Sequence, residues 1–173
     1  MFRPLWLIPV LLTGLAIPAI AADLPKSGSF DIQTGWKSIG ETTQVADKHT
    51  LGTWKSWGVS FNAAGNGPLH MGPAVCTTES EAIEGTGTAG GKCAWSDADG
   101  DKIFSDWSGK FTPTSALAGS STITSGTGKY NGIHGNGPFT CKVLNAATSQ
   151  SVCTQHFDYQ LTLEATGTST PSK

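Results

Sequence analysis

The stretch Ile123-Thr-Ser-Gly-Thr-Gly-Lys-Tyr-Asn-Gly-Ile-His-Gly135 decides how the fold of this chain is interpreted. It begins with strand-like alternation, is interrupted at Gly126 and Gly128, and becomes apolar again at Tyr130 and Ile133. Small residues cannot fill a core, but glycine adopts the positive φ values that a tight corner needs. The stretch therefore predicts a short corner between two strands.

The remainder of the chain predicts strands joined by turns. The 173 residues include 22 glycines, and no stretch of ten residues after the N-terminal segment shows a helical period. We expect about eight strands in one domain over residues 28–166, followed by a polar tail over 167–173. Within it, Leu69 is expected to begin the third strand, and a flexible turn over 85–91 to precede a short strand over 92–96. Such a series fits either a closed barrel or a two-sheet sandwich.

The N-terminal residues 1–22 differ in composition from everything that follows. They contain one basic residue, Arg3, then an apolar run over residues 5–17 and the small-x-small sequence Ala19-Ile-Ala21. A membrane anchor is the alternative, but the apolar run is shorter than the roughly 20 residues that a span needs. The pattern indicates a cleaved secretory signal peptide, no transmembrane segment after cleavage, and export to the periplasm or the extracellular space.

The charge balance excludes several classes of partner. Arg3 is the only arginine, so the chain after residue 22 has ten lysines against 13 acidic residues, a net charge of 10 − 13 = −3. Proteins that bind nucleic acids present a basic surface, and arginine dominates bidentate phosphate recognition. We therefore expect no nucleic-acid partner and no phosphate-rich ligand.

The four cysteines predict two disulfides, because an even number in an exported chain is typical of a disulfide framework. Three pairings are possible, and we favour Cys76–Cys93 and Cys141–Cys153, since each pair flanks a hairpin or a short excursion. Neither the cysteines nor the histidines have metal-ligand spacing, so no metal site is assigned.

Two acidic groups have a functional and a structural interpretation. The alternating Asp97, Asp99 and Asp101 are typical of the start of a calcium loop or, equally, of a hairpin turn, and no distal glutamate follows at the expected distance. Glu79, Glu81 and Glu84 form either a solvated strand edge or an acid–base group that faces a cavity.

The aromatic residues and one histidine are the candidates for ligand binding. The lumen of an eight-stranded barrel either fills with side chains or holds one small ligand, and both options stay open here. The candidate ligand-binding residues are Trp54, Trp57, His70, Trp95, Trp107 and Tyr159.

The corner resembles that of the allene oxide cyclase and dirigent β-barrels, in which an Ile-Thr-Gly-Gly-Thr/Ala-Gly run leads to an aromatic residue and a later glycine. The family's positions are filled here by Ile123, Thr124, Gly126, Gly128, Tyr130, Gly132 and Gly135. The ending Leu161-Thr-Leu-Glu-Ala-Thr-Gly-Thr168 also resembles the family's last strand. The resemblance implies an all-β fold, a single eight-stranded antiparallel barrel of the allene oxide cyclase-like type.

The resemblance also implies a function, in which an apolar cavity confines a small hydrophobic or aromatic molecule without a cofactor. Isomerase or cyclase activity by confinement is compatible with this. The cyclases carry Gly-His-Leu-Ser-Val-Gln-Gly-Pro before the corner, whereas Gly119-Ser-Ser-Thr-Ile123 stands here, so no catalytic residue is assigned. The alternatives are a non-enzymatic structural or interaction module of the cell envelope with a filled barrel, and a calcium-dependent carbohydrate binder.

Overall fold

The fold is a closed barrel of eight antiparallel strands, in which each strand pairs with the next and the last pairs with the first. A computed structural model describes residues 24–113 and 116–162. The strands are β1 (Ser27–Ala46), β2 (His49–Asn62), β3 (Gly72–Ile83), β4 (Thr86–Ser96), β5 (Lys102–Phe111), β6 (Ala116–Gly126), β7 (Ile133–Asn145) and β8 (Gln150–Leu161). The predicted eight-stranded barrel is confirmed. The predicted signal peptide and polar tail lie outside the described residues. Residues 163–168, most of the ending that resembles the family's last strand, lie outside them as well.

Two predicted strand boundaries were wrong. Residues 86–91 belong to β4 and pair with β3, so the turn is confined to Glu84 and Gly85, both with positive φ. The glycines of this segment therefore lie within a curved strand, as is common where a barrel bends. Leu69 has a φ of 59° and lies in the β2–β3 loop rather than at the start of β3.

The strand register is staggered around the barrel. From Thr42 on β1, directly paired residues lead through all eight strands and return to β1 at Ile32, a displacement of 42 − 32 = 10 residues. Stagger, tilt and diameter are linked in a barrel, and eight strands enclose a space that either fills or holds one small ligand. The geometry therefore permits a lumen, and the inward side chains decide whether it is filled.

One half of the barrel, which we call the closed half, is packed with large apolar side chains. It lies at the end that carries the β2–β3, β4–β5 and β6–β7 connections. Its buried residues include Phe30, Ile32, Ile103, Ile123, Ile133, Phe157 and Tyr159. The opposite end, where β1 meets β2, β3 meets β4, β5 meets β6 and β7 meets β8, is the open half.

Two loop residues complete the packing of the closed half. Leu69 and Tyr130 are both fully buried in the apolar cluster, although neither belongs to a strand. Tyr130 ends a short 3₁₀ turn, Gly128–Tyr130, within the predicted corner, and Gly132 leaves the corner with a φ of 75°. The predicted corner is confirmed, and it also supplies a side chain that seals the barrel.

Both predicted disulfides are confirmed, as Cys76–Cys93 and Cys141–Cys153. Each joins directly paired residues of neighbouring strands, with Cα atoms 4.1 and 4.0 Å apart. In the chain-entropy treatment, loops of this length stabilise the fold by about 3 kcal/mol each. Within the described ranges, no helix is long and apolar enough to cross a membrane.

Candidate functional site: the open half of the lumen

The open half of the lumen contains a cavity of about 760 Å³. Its walls are inward-facing residues of all eight strands, and Gly85, Pro113, Ala146 and Ser149, from the hairpins of the open end, line its mouth. A volume of this size is within the range of small-molecule sites in proteins. The cavity is therefore the candidate functional site of the barrel.

The cavity exists because small residues occupy the inward positions at this level. Strands β2, β3 and β4 contribute inward-facing residues with short side chains to its wall: Thr50, Ser56, Thr78, Ser80, Ala82 and Ala89. In the closed half, large apolar side chains fill the interior of the barrel instead. Side-chain volume, rather than a different backbone, therefore separates the cavity from the core.

Aromatic side chains form much of the cavity wall. At the boundary with the closed half, the Trp36 and Trp95 rings pack edge to face with centroids 5.5 Å apart. Trp107 packs in the same manner on Phe139, at 5.7 Å. Trp54 also lines the cavity. Such walls favour flat apolar or aromatic ligands, because rings gain from edge and face contacts as well as from burial.

Several deep polar groups in the lumen are already hydrogen-bonded to one another. Trp95 Nε1 donates to Ser105 Oγ at 2.9 Å, and Ser121 Oγ donates to Gln155 Oε1 at 2.9 Å. The Gln155 amide nitrogen in turn donates to backbone carbonyls, among them that of His156 at 2.8 Å. These pairs fix the floor of the cavity and leave those polar groups satisfied.

Two buried polar atoms of cavity-lining residues have no hydrogen-bond partner among the described residues. These are the Thr34 hydroxyl and the Trp107 indole nitrogen Nε1, which lie on β1 and β5. Native proteins pair nearly all of their buried polar groups, so an unpaired one requires an explanation such as a water or a ligand. His70 Nδ1 is also unpaired, but His70 does not line this cavity.

None of the described residues that line the cavity is ionisable. The wall is made of Thr, Ser and Gln on the polar side and Trp, Phe, Leu, Val, Ala and disulfide sulfur on the apolar side. Side-chain general acid–base catalysis needs a group that exchanges a proton near neutral pH. The chemistry that this wall supports is therefore confinement, ring stacking and neutral hydrogen bonding.

The structure brings three of the six predicted ligand-binding residues to the cavity and places three elsewhere. Trp54, Trp95 and Trp107 line it. Trp57 lies on the outer face with 41% of its surface exposed, because it is an odd number of residues from Trp54 on the same strand. Trp57, His70 and Tyr159 do not line the cavity.

The other two residues that do not line the cavity belong to the closed half. His70 lies in the β2–β3 loop, where its ring packs edge to face against Phe61 at 6.3 Å. Tyr159 is buried beside Phe30, and this burial raises the pKa of its hydroxyl. Both residues thus contribute to packing away from the cavity.

Sequence reasoning missed several residues of the cavity wall. Trp36, Phe111 and Phe139 line it, as do the sulfur-bearing residues of both disulfides. The alternation of β1 could have identified Trp36, since it shares parity with the buried Phe30 and Ile32. The alternation of β5 could likewise have identified Phe111, since it shares parity with the buried Ile103.

The aspartates of the β4–β5 loop hold the closed end together. Asp97 is buried, and its carboxylate accepts hydrogen bonds from the Leu69 backbone N–H at 2.6 Å and from the Tyr130 hydroxyl at 2.5 Å. Lys129 Nζ lies 2.6 Å from both Asp97 and Asp99. The structural interpretation of this loop is therefore supported, because its carboxylates are engaged by donors of the corner and of the β2–β3 loop.

The pKa values in this cluster reflect its charge pairing. The hydrogen bond from Lys129 lowers the pKa of Asp99. Desolvation opposes the charge on Lys129, but hydrogen bonds to Asp97 and Asp99 outweigh it and raise the pKa of the ammonium group. Burial, followed by the hydrogen bond to Asp97, raises the pKa of Tyr130 far above its ordinary value. The tyrosine is therefore a permanent donor to the aspartate.

The glutamates considered as acid–base groups lie outside the lumen. Glu79 and Glu81 point outwards from β3, and Glu81 Oε1 is 2.8 Å from His49 Nε2. Glu84 pairs with Lys48 at 3.1 Å, and both side chains are exposed. The solvated-edge interpretation of these acids is confirmed. Among the described residues, no group of three or more His, Cys, Asp or Glu side chains is arranged to hold a metal ion.

No protein-family model matches this chain, and no curated protein matches it. The likeness to the allene oxide cyclase and dirigent barrels consequently stays a prediction from the corner motif, and the functional argument depends on the geometry of the lumen.

Proposed function

We propose that this protein is an exported β-barrel that binds a small apolar or aromatic molecule in the open half of its lumen. The observation that carries the proposal is the cavity of about 760 Å³, bounded by aromatic rings and small residues and open at the hairpin end. The two disulfides support the exported location, because such bonds persist in oxidising compartments. The corner motif supports membership of the allene oxide cyclase-like barrels.

Binding is the activity that the wall supports most directly. Any reaction at this site would proceed by confining a reactive molecule in one conformation, because the described wall offers no ionisable group. Positioning alone accelerates reactions whose barrier is largely one of geometry. Cofactor-free isomerisation or cyclisation is therefore the enzymatic form of the proposal, and it adds to ligand binding rather than replacing it.

The experiment is titration with N-phenyl-1-naphthylamine, a neutral dye that fluoresces in apolar surroundings. We expect saturable binding by the wild-type protein and its loss in Ala89→Trp, since Ala89 faces the lumen amid small residues. Thr88→Trp on the outer face is the matched control and should bind normally. Leu117→Trp, nearer the mouth, provides a second blocking variant if Ala89→Trp does not fold. Dye binding that neither blocking variant reduces would exclude the lumen as the site.

A second candidate function is an interaction module of the cell envelope, and the outer face of β2 favours it. The inward positions of β2 are mostly small or polar, whereas Trp57, Val59 and Phe61 point outwards and are each more than 40% exposed, at 41%, 45% and 48%. Val75 on β3, directly paired with Trp57, extends this surface. Contiguous exposed apolar groups on a soluble protein commonly mark an interface.

If the partner of this face is a second copy of the chain, sedimentation of the wild-type protein and of Phe61→Ser distinguishes the interaction module from the lumen function. Wild-type dimers that dissociate in the variant, in a protein that binds no dye, would favour the interaction module. A monomeric wild-type protein with saturable dye binding would favour the lumen function.

A further inference from the structure

We infer that the ligand of the lumen is an uncharged molecule with a hydrogen-bond acceptor, such as a carbonyl or ether oxygen, that receives the indole N–H of Trp107. This inference deepens the proposed lumen function and depends on it. It rests on the unpaired atoms of the wall and on the wall's lack of charge.

Trp107 supplies a donor that has no acceptor within the described protein. Its Nε1 atom is buried and unpartnered, although its ring is fixed by edge-to-face packing on Phe139 at 5.7 Å. Indole nitrogen is a donor only. The comparison within the same lumen is Trp95, whose Nε1 donates to Ser105 Oγ at 2.9 Å. Of the four indoles that line the lumen, Trp95 thus completes its hydrogen bond internally, whereas Trp107 Nε1 is buried without an acceptor among the described residues.

The Thr34 hydroxyl offers a second hydrogen-bonding group, which can act as donor or acceptor. It is buried and unpaired, and it lines the same cavity. A hydroxyl group donates or accepts, so it does not restrict the ligand, whereas the Trp107 indole requires an acceptor. Of these two unpaired atoms, Trp107 Nε1 is therefore the one that requires an acceptor.

The charge of the ligand is limited by the wall. A carboxylate or ammonium group transferred from water into this cavity would find no opposite charge among the described lining residues. The penalty for burying an unpaired ion is several kcal/mol even after relaxation of the protein. Ligands whose charged group must enter the cavity therefore fit this site poorly, and neutral aromatic or alicyclic carbonyl compounds fit it well.

The test uses three probes of nearly equal shape: benzophenone, diphenylmethane and 4-benzoylbenzoate. The first has a carbonyl acceptor, the second lacks it, and the third adds a carboxylate. Dissociation constants are measured by equilibrium dialysis with the oxidised wild-type protein. We expect benzophenone to bind about 2- to 10-fold more tightly than diphenylmethane, the value of one hydrogen bond, and 4-benzoylbenzoate to bind at least about 100-fold more weakly.

Two variants assign the preference to one side chain. Trp107→Phe should reduce the ratio of the benzophenone and diphenylmethane affinities to about one, because the indole donor is lost and a ring remains. Trp57→Phe, which removes an indole from the outer face of the barrel, should leave that ratio unchanged. A merely structural role of Trp107 would weaken both probes equally and preserve the ratio.

Each result has a defined consequence. Equal wild-type affinity for benzophenone and diphenylmethane, tight binding of 4-benzoylbenzoate, or an unchanged ratio in Trp107→Phe would overturn the inference while the lumen function stands. Failure of all three probes to bind would overturn the inference together with the proposed function.

Discussion

The closed and open halves of this barrel are built from the same eight strands, with the same alternation of inward and outward side chains. Yet one half is filled and the other contains a cavity. In the closed half, Phe157, Ile103 and Ile123 are essentially inaccessible, and Leu69 and Tyr130 enter from loops to complete the packing. In the open half, short side chains such as those of Ser80, Ala82 and Ala89 face the lumen. Backbone alternation thus determines which side chains point inwards, and their volumes determine whether the interior is filled.

The polar groups of the two halves differ in the same way. In the closed half, Asp97 collects donors from Leu69, Lys129 and Tyr130, and Ser60 donates to the Leu69 carbonyl at 2.7 Å. In the open half, Thr34 and Trp107 keep unpaired polar atoms on the cavity wall. The polar groups of the closed half therefore stabilise the fold. Those of the open half leave hydrogen-bonding capacity unused, at some cost in stability.

The largest expected effect comes from removing the acceptor at the closed end. Asp97→Ala should lower the free energy of unfolding by about 3–5 kcal/mol, because it leaves the Tyr130 hydroxyl, the Leu69 N–H and the Lys129 charge without their partner. The exposed Asp99 has Lys129 as its side-chain partner, so Asp99→Ala should cost less than about 1 kcal/mol. Urea denaturation measures both values. Equal losses would show that Asp97 does not hold the closed half together.

The next effect compares apolar truncations in the two halves. Ile123→Ala should cost about 2–5 kcal/mol, since Ile123 is 2% exposed within the core and its removal leaves a cavity. Leu117→Ala, which enlarges an existing cavity, should cost about 1 kcal/mol. The same denaturation experiment applies to both variants. Similar costs would mean that the open half is packed as tightly as the closed half in solution.

A smaller effect, of opposite sign in the two halves, concerns two buried hydroxyl groups. Thr34→Val should stabilise the unliganded protein by about 1 kcal/mol, because it replaces an unpaired hydroxyl with a methyl group. Ser60→Ala should destabilise it by about 1–2 kcal/mol, because the Leu69 carbonyl loses its donor. Thermal unfolding detects both changes. Destabilisation by Thr34→Val would indicate that this hydroxyl has a partner in solution.

The smallest effect is a pH dependence on the outer surface. His156 Nδ1 lies 2.8 Å from Asp31 and Nε2 lies 3.3 Å from Asp158, and the hydrogen bond to Asp31 is the main cause that raises the pKa of His156. Because the folded-state pKa is above the ordinary 6.5, the contribution to stability is fully present below pH 6.5 and is lost as pH rises through the folded-state value.

His156→Gln should remove this part of the pH dependence, and the effect should be small because the cluster is solvated. Unfolding free energies measured from pH 5 to 8 check this expectation. An identical pH profile in wild type and His156→Gln would contradict it.

Much of the fold could be predicted from local sequence. The corner glycines between Ile123 and Gly135 and the spacing of the four cysteines both reflect short-range constraints, and both corresponding predictions are confirmed. The glycines of residues 86–91 misled the boundary prediction, because glycine is typical of turns and also of bent strands, and only strand pairing distinguishes the two.

The candidate site was predictable only in part. On β2, the apolar set of Trp57, Val59 and Phe61 points outwards, the reverse of the usual pattern, so hydrophobicity alone gives the wrong inward face. Register with β1 and β3 fixes the actual orientation and places Trp54 inside. A residue's direction in a barrel is a property of its neighbours as well as of its own strand.

The sequence by itself determined the all-β class and the position of the corner, and it favoured the two disulfide pairs that form, since these depend on residues near one another in the chain. The tertiary structure decided the ten-residue stagger of the strands, the hydrogen bonds that Leu69 and Tyr130 donate to Asp97 at one end, and the aromatic cavity at the other. These features bring together side chains from distant strands, and only the closure of the barrel sets their distances. The unpaired Trp107 indole belongs to this second group, because a missing partner is recognisable only when every neighbour is in place.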